Sequence, residues 1–215
     1  MTPKTILCFG DSNTHGYNAE NGGRFSEKER WTCLLDDLLG DGYLVREEGL
    51  SGRTTSFEDP IFEGLSGHAL IHPCMMTHEP LDLVIIMLGT NDVKARFGAT
   101  PANIAKGLER LTYKAMTVRD AFRSQPNILL IAPPAIENGY YETEIGGEMG
   151  EGCIEKSKAL APLYKDVAER LGCHFLDAGS IDGICMNPYD RMHLTAESHR
   201  LLAEKLSALI PTLCP

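Results

Sequence analysis

Short apolar runs that end in glycine and small polar residues recur along the chain, separated by segments of helical periodicity. Five of these runs are predicted strands, at residues 6–9, 43–48, 81–88, 127–132 and 174–177. A continuous apolar run of this length is typical of a strand that is buried on both faces. The pattern therefore predicts a sheet that is covered by helices on both sides.

Helical signals lie at residues 31–39, 101–122, 152–171 and 196–209. In the first segment apolar residues recur at helical spacing, and Gly40 provides a C-terminal stop. In the second, Thr100 supplies an N-cap and Pro101 suits the first helical position. Residues 56–80 are ambiguous, because Pro73 interrupts a helical pattern over 68–78.

Strands that alternate with helices imply parallel pairing with right-handed crossovers. The predicted fold class is α/β, a three-layer α/β/α sandwich with a five-stranded parallel sheet. No linker, internal repeat or low-complexity tract divides the sequence. Residues 1–215 are therefore predicted to form a single domain.

Charge and composition argue against binding to nucleic acid or membranes and against disulfide bonds. The chain has 20 Lys and Arg against 30 Asp and Glu, a formal charge of −10 that repels nucleic-acid phosphates and acidic membrane surfaces. No apolar run is long enough to span a bilayer, and the early first strand leaves no room for a signal peptide, so a cytoplasmic location is expected. Seven scattered cysteines without a Cys-x-x-Cys pair predict reduced thiols rather than disulfides or zinc.

Residues with catalytic potential follow the ends of the predicted strands. They are Gly10-Asp11-Ser12, Ser51-Gly52, Gly89-Thr90-Asn91-Asp92 and, after the last strand, Asp190-x-x-His193. The carboxyl ends of parallel strands meet at one edge of the sheet, where ligands bind in such folds. Hydrolysis through a serine needs a hydroxyl, a base, a carboxylate that orients the base, and donors for the oxyanion. Each requirement has a candidate here.

These ordered blocks resemble those of the SGNH hydrolases, also called GDSL-type esterases and lipases, from residue 6 to the last helix. The resemblance implies a flavodoxin-like SGNH hydrolase fold. It implies that Ser12 is the nucleophile, His193 the general base and Asp190 its orienting partner. It also implies an oxyanion hole made by the backbone N–H groups of Ser12 and Gly52 and the side-chain amide of Asn91.

Within the family, the chain resembles the single-domain bacterial arylesterases and acyltransferases, through Arg30-Trp31-Thr32, residues 47–55 and residues 81–92. The expected activity is hydrolysis of small carboxylic esters, with short acyl or aryl groups, through an acyl-enzyme on Ser12, together with acyl transfer to alcohols. A small-molecule ester is the expected partner, without cofactor, metal, nucleic acid or membrane. By the same resemblance the protein is expected to be a homo-oligomer.

Three positions depart from the family pattern. Asn13 stands where leucine is expected, Glu47 replaces a common asparagine, and His15 stands where some relatives carry an aromatic residue. Asn13 and His15 follow the nucleophile so closely that they are predicted to bind substrate. Asp11 and Asp92 are expected to brace their own turns through hydrogen bonds to local backbone N–H groups.

The pocket-lining residues are expected in three loops, at 17–30, 56–80 and 135–150. The glutamates of the last loop, Glu142, Glu144, Glu148 and the nearby Glu151, are interpreted as a solvated face. Two other functions remain open. One is a metal-dependent phosphoesterase, which the Gly-Asp and Gly-Thr-Asn-Asp turns faintly resemble. The other is a non-catalytic, flavodoxin-like binding module that holds an anion at the first turn.

Overall fold

The computed structural model describes residues 2–214 and contains a parallel sheet of five strands. In chain order they are β1 (Lys4–Gly10), β4 (Tyr43–Gly49), β5 (Leu83–Met87), β6 (Ile128–Ala132) and β7 (His174–Asp177). The spatial order is β4-β1-β5-β6-β7, with every neighbouring pair parallel. Two short strands, β2 (Tyr17–Asn18) and β3 (Gly23–Arg24), form a separate antiparallel hairpin. The predicted five-stranded parallel α/β fold is confirmed.

Helices cover both faces of the sheet. They are α1 (Ser12–His15), α2 (Trp31–Leu39), α3 (Gly67–Thr77), α4 (Pro101–Thr117), α5 (Gly146–Met149), α6 (Cys153–Lys158), α7 (Leu160–Leu171) and α8 (Ala196–Leu213). Helices α2 and α8 share one apolar core with the sheet, and α3, α4 and α7 share the other. Among residues 2–214, no helix is both long and apolar enough to cross a bilayer.

Successive side chains of β1 enter opposite cores. Ile6 and Cys8 pack on the side of α2 and α8, while Leu7 and Phe9 pack on the side of α3, α4 and α7. All four side chains are essentially buried. Because side chains alternate across a strand, burial on both faces requires a continuous apolar run. This is the physical reason for the sequence pattern.

Three stretches that were predicted as helix or left ambiguous differ from the structure. The helix predicted at 152–171 is two helices, α6 and α7, which meet at Ala159. Pro162 lacks the N–H that would pair with the carbonyl of Lys158, which favours a break at this point. The ambiguous stretch 68–78 is helical, as α3, and contains Pro73. The helix predicted to reach residue 122 ends at Thr117 and is followed by a short turn of 3-10 helix.

Two buried aspartates support the carboxyl edge of the sheet. Asp11 is the N-cap of α1 and accepts a hydrogen bond from the Asn13 N–H at 2.9 Å, as expected. Asp92 acts over a longer distance than expected, since it accepts from the N–H of Thr55, at 2.9 Å, and from its hydroxyl, at 2.5 Å. It therefore joins the segment after β5 to the segment after β4. Burial raises the pKa of Asp11 to about 6 and that of Asp92 to about 7.

Gly49 permits α1 to lie directly on the end of β4. A Cβ at this position would be 2.1 Å from the backbone nitrogen of His15 and 2.6 Å from the carbonyl carbon of Thr14. We expect Gly49→Ala to lower the free energy of unfolding by about 1–3 kcal/mol, because backbone must shift to admit the methyl group. Urea unfolding measures this change. Gly42→Ala is the matched control, since a Cβ there meets nothing within 4 Å. Equal losses for the two variants would contradict the packing argument.

The Asp92 carboxyl gives a second test, in the dependence of stability on pH. An acid whose pKa is raised by folding holds its proton more tightly in the folded state. Its contribution to stability is therefore greatest below the unfolded pKa, near 4, and is lost as the pH rises to the folded pKa of about 7. We expect the stability of Asp92→Asn relative to the original protein to rise by up to ~4 kcal/mol between pH 4 and pH 7.5.

Urea unfolding of both proteins at a series of pH values measures this difference. Asp120→Asn, at an exposed aspartate, is the control and should show no such trend. A constant stability difference between Asp92→Asn and the original protein across the range would show that Asp92 is ionised in both states.

Candidate active site

Ser12 and His193 meet at the carboxyl edge of the sheet, although 181 residues separate them. Ser12 is the first residue of α1, directly after β1, and His193 lies in the loop between β7 and α8. The Ser12 Oγ and His193 Nε2 atoms are 2.8 Å apart. On the other side of the ring, His193 Nδ1 is 2.5 Å from Asp190 Oδ2. The three side chains thus form one line of hydrogen bonds.

The Asp190 carboxylate is fixed by the backbone of its own loop. Its Oδ1 accepts hydrogen bonds from the N–H groups of Met192 and His193, both at 3.0 Å. Burial alone would raise the pKa of Asp190, but the hydrogen bond and the charge of His193, with these two N–H bonds, lower it below 3.8. An ionised Asp190 favours the tautomer with the proton on Nδ1. The lone pair of Nε2 then faces the Ser12 hydroxyl.

Possible oxyanion donors surround the same cavity. Gly52 and Asn91 line it together with Ser12 and His193. The Asn91 Nδ2 donates to the carbonyl of Arg53 at 3.2 Å, which orients the amide. As the first residue of α1, Ser12 also has a backbone N–H without a partner within that helix. The structure thus brings all five residues of the predicted catalytic set to one place.

Arg53 holds the loop of Gly52 against the end of β1. Its guanidinium donates to the carbonyl of Gly10 at 2.9 Å and to that of Glu48, and it lies 4.0 Å from the centre of the Phe9 ring. The side chain is almost completely buried. This contact fixes the positions of two loops that carry site residues, after β1 and after β4.

The cavity has a volume of about 490 Å³ and is lined by all three loops that were expected to supply pocket residues. Tyr17 comes from the first loop, Phe62 from the second and Met149 from the third. The Tyr17 ring lies against His193, with ring centres 4.5 Å apart. Sequence reasoning missed Tyr17 because its approach depends on the β2–β3 hairpin, which carries no periodic signal.

Glu47 anchors that hairpin. It pairs with the Arg30 guanidinium at 2.8 Å and with that of Arg24, from β3, at 3.3 Å, and it accepts a hydrogen bond from Thr32. Burial alone would raise the pKa of Glu47, but these partners lower it overall. Glu47, which replaces the asparagine common in the family, therefore supports the loop of Tyr17 through its negative charge.

Asn13 and His15 do not line the cavity, contrary to their predicted role as substrate contacts. The Asn13 Oδ1 accepts from the N–H of Leu194 at 2.9 Å, and its Nδ2 donates to the carbonyl of Met192 at 3.4 Å. The buried amide thus bridges α1 to both neighbours of His193. The ring of His15 packs outside the cavity, where burial and then the charge of Arg24 lower its pKa.

Glu148 is exposed, as predicted for a solvated face, and 48% of its side chain is accessible. It lines the cavity, where its carboxylate is 2.8 Å from the ammonium of Lys94, a side chain only 4% exposed. Arg96 contacts the same carboxylate at 3.4 Å and pairs with the buried Asp59 at 2.6 Å. These contacts were missed because they join loops distant in sequence.

Within residues 2–214, no three His, Cys, Asp or Glu side chains are grouped so that they could hold a metal ion. The polar groups that line the cavity include the Ser12 hydroxyl, the His193 imidazole, the Asn91 amide and the charged side chains of Glu63, Lys94 and Glu148. Such a site can deprotonate a serine and stabilise a developing oxyanion.

A model of the GDSL-like lipase/acylhydrolase family matches residues 8–201 of the chain. The solved structure of an aryl esterase from M. smegmatis is 37% identical, with 98% of this chain and 99% of that chain covered and a TM-score of 0.87. Est24, a carbohydrate acetylesterase from Sinorhizobium meliloti, is also 37% identical, with the same shares covered and a TM-score of 0.87.

An acetylxylan esterase from Xylanibacter ruminicola is 23% identical over 226 residues, which include 95% of this chain. The chain spans only 42% of the length of that relative. The family match and the esterase structures support ester hydrolysis as the activity. The chain belongs to the GDSL-like lipase/acylhydrolase family, as the order of its motifs indicated.

Proposed function

We propose that the protein is a serine esterase that hydrolyses small carboxylic esters through an acyl-enzyme on Ser12. One observation carries the proposal. Ser12 Oγ, His193 Nε2 and Asp190 are in hydrogen-bond contact in the wall of a cavity that Asn91 also lines. A hydroxyl, a base and an orienting carboxylate in this arrangement are the elements of nucleophilic acyl transfer.

In the first half-reaction, Ser12 Oγ attacks the ester carbonyl carbon while His193 Nε2 takes the hydroxyl proton. The negative charge on the carbonyl oxygen is stabilised by the Asn91 amide and the N–H groups of Ser12 and Gly52. The C–O bond to the alcohol then breaks, and protonated His193 gives its proton to the leaving oxygen. Between these two proton transfers, Asp190 stabilises the imidazolium of His193. The products are the free alcohol and the acyl-Ser12 ester.

In the second half-reaction, water attacks the acyl-Ser12 carbonyl as His193 removes a proton from it. Collapse of the second oxyanion releases the carboxylic acid and returns the proton to Ser12 Oγ. An alcohol in place of water would give a new ester, which is acyl transfer. Tyr17 lies against the imidazole and limits the directions from which either nucleophile can approach.

The size and lining of the cavity support small esters as substrates. A volume of about 490 Å³ lies in the lower part of the range of small-molecule pockets. Its wall combines apolar side chains, such as Leu65 and Ile145, with the Lys94–Glu148 ion pair. Similarity to an aryl esterase supports an aryl leaving group, and similarity to a carbohydrate acetylesterase supports an acetyl group on a sugar.

Ser12→Ala should abolish hydrolysis across an ester panel that varies acyl length and leaving group, because it removes the hydroxyl that is hydrogen-bonded to His193. We expect the original protein to prefer short acyl chains and to bind a fluorophosphonate at Ser12, as detected by peptide mass spectrometry. Activity that is lost with EDTA and restored by added metal would instead favour a metal-dependent phosphoesterase. A protein that is neither active on the panel nor labelled would favour a binding module.

Asn91→Ala should lower kcat on p-nitrophenyl acetate by about two to three orders of magnitude, the typical effect of losing one oxyanion donor. The thermal midpoint should be measured as well, because the amide also contacts the Arg53 carbonyl. Asn138→Ala, at an exposed asparagine, is the matched control and should keep the original kcat. A folded Asn91→Ala protein with the original turnover would remove Asn91 from the oxyanion hole.

A further inference from the structure

The loop that carries Asp190 and His193 contacts Glu137, an acidic side chain that lies outside the family motifs. We refer to residues 186–194 as the base loop. The Glu137 Oε1 accepts from the N–H of Met186 at 2.9 Å, and the N–H of Glu137 donates to the carbonyl of Arg191 at 2.9 Å. Its Oε2 also lies 3.7 Å from the Arg191 guanidinium. Glu137 therefore contacts the base loop at Met186, before Asp190, and at Arg191, directly after it.

Glu137 belongs to a segment that has little freedom to move. It follows β6 through Pro133 and Pro134, whose rings restrict the backbone. The adjacent Ile136 is buried, and its N–H donates to the Ser157 hydroxyl of α6 at 3.0 Å. Contacts made by Glu137 thus tie the base loop to the sheet and to a helix.

The base loop contains backbone strain at Arg191. Its φ angle of 62° makes it the one non-glycine residue with positive φ among residues 2–214. This conformation is costly for a side chain with a Cβ and persists only where surrounding contacts hold it. Arg191 lies between Asp190 and the two N–H groups, of Met192 and His193, that the Asp190 carboxylate accepts. The strained residue therefore sits within the turn that orients the base.

Asn13 contacts the base loop on its other side, at Met192 and Leu194. Those contacts fix the loop to α1, which carries the nucleophile, but they do not reach Met186 or the Arg191 carbonyl. Glu137 contacts the loop at both points, with its side chain at the Met186 N–H and with its backbone N–H at the Arg191 carbonyl.

We propose that Glu137 is a positioning residue for His193, which acts by holding the strained base loop through Met186 and Arg191. The proposal rests on the roles proposed above for Ser12, Asp190 and His193. The long, half-exposed ion pair with Arg191 contributes little, since exposed pairs of this kind are weak. The hydrogen bond that Glu137 Oε1 accepts from Met186 is the main contribution of the side chain.

Glu137→Ala should lower kcat on p-nitrophenyl acetate by about fivefold to tenfold, the factor expected for one lost hydrogen bond, and leave KM within about twofold. Glu137→Gln should retain nearly full kcat, because its amide oxygen can still accept from Met186. Adding Arg191→Gly to Glu137→Ala should restore most of the loss, since glycine adopts positive φ without strain. Glu144→Ala, at an exposed glutamate of the following loop, is the control and should match the original protein.

Each kcat should be expressed per Ser12 that a fluorophosphonate labels at completion, so that misfolded protein does not count. A Glu137→Ala variant with the original kcat would overturn the proposal, as would a glutamine variant as slow as the alanine variant. Failure of Arg191→Gly to restore activity would overturn it as well, because the strain would then have no part in the effect. If the original protein is neither labelled nor active, the proposed esterase mechanism fails instead, independently of Glu137.

Discussion

The hydrogen bond between Ser12 and His193 depends on how firmly the start of the chain is held against the base loop. Direct backbone contact sets both sides. Gly49 lets α1 lie against the end of β4, where a Cβ would meet backbone atoms at 2.1 Å. The side-chain amide of Asn13, the residue after Ser12, bonds to the backbone on both sides of His193. These contacts hold the backbone on the two sides of the 2.8 Å hydrogen bond between Ser12 and His193.

Buried polar groups beneath the site carry a cost in stability. Desolvation dominates the pKa of Asp92 and raises it to about 7, although Thr55 supplies two hydrogen bonds to the carboxyl. Arg53 is likewise buried, and burial lowers its pKa. Both side chains connect segments that follow different strands. An apolar pair could not fix these segments as closely, because hydrogen bonds specify direction as well as distance.

Regular elements and the meeting of the candidate site residues at one edge of the sheet could be predicted from the sequence because each leaves a local signal. Burial on both faces makes the strand that ends at Met87 a continuous apolar run, and the short loop from Asp190 to His193 keeps that pair within reach. Asn13 was interpreted as a substrate contact because it adjoins Ser12. Its amide points instead to the base loop, and neither the direction of a side chain nor the course of that loop follows from periodicity.

The residues of the cavity wall were less predictable, because the course of a loop and the direction of its side chains leave no periodic signal. Tyr17 approaches His193 only because the ion pairs of Glu47 hold the β2–β3 hairpin in place. Glu148 lies among other glutamates in the sequence and is exposed, as that setting favours, but nothing local indicates that it also lines the cavity. A lysine 54 residues earlier holds it at the cavity, and only the folded chain brings the two together.

One short segment supports both Asn91, the proposed oxyanion donor, and the cavity walls around it. Asp92, next to Asn91, holds the loop after β4 through Thr55. Two and four residues further on, Lys94 and Arg96 hold Glu148, and Arg96 also holds Asp59. Three of the four members of this ion-pair network are largely buried, so water screens them less than surface charges. A shift in either wall loop is therefore transmitted to the segment that carries the Asn91 amide. Under the proposed mechanism, the residues that shape the cavity wall thereby also support the proposed oxyanion donor.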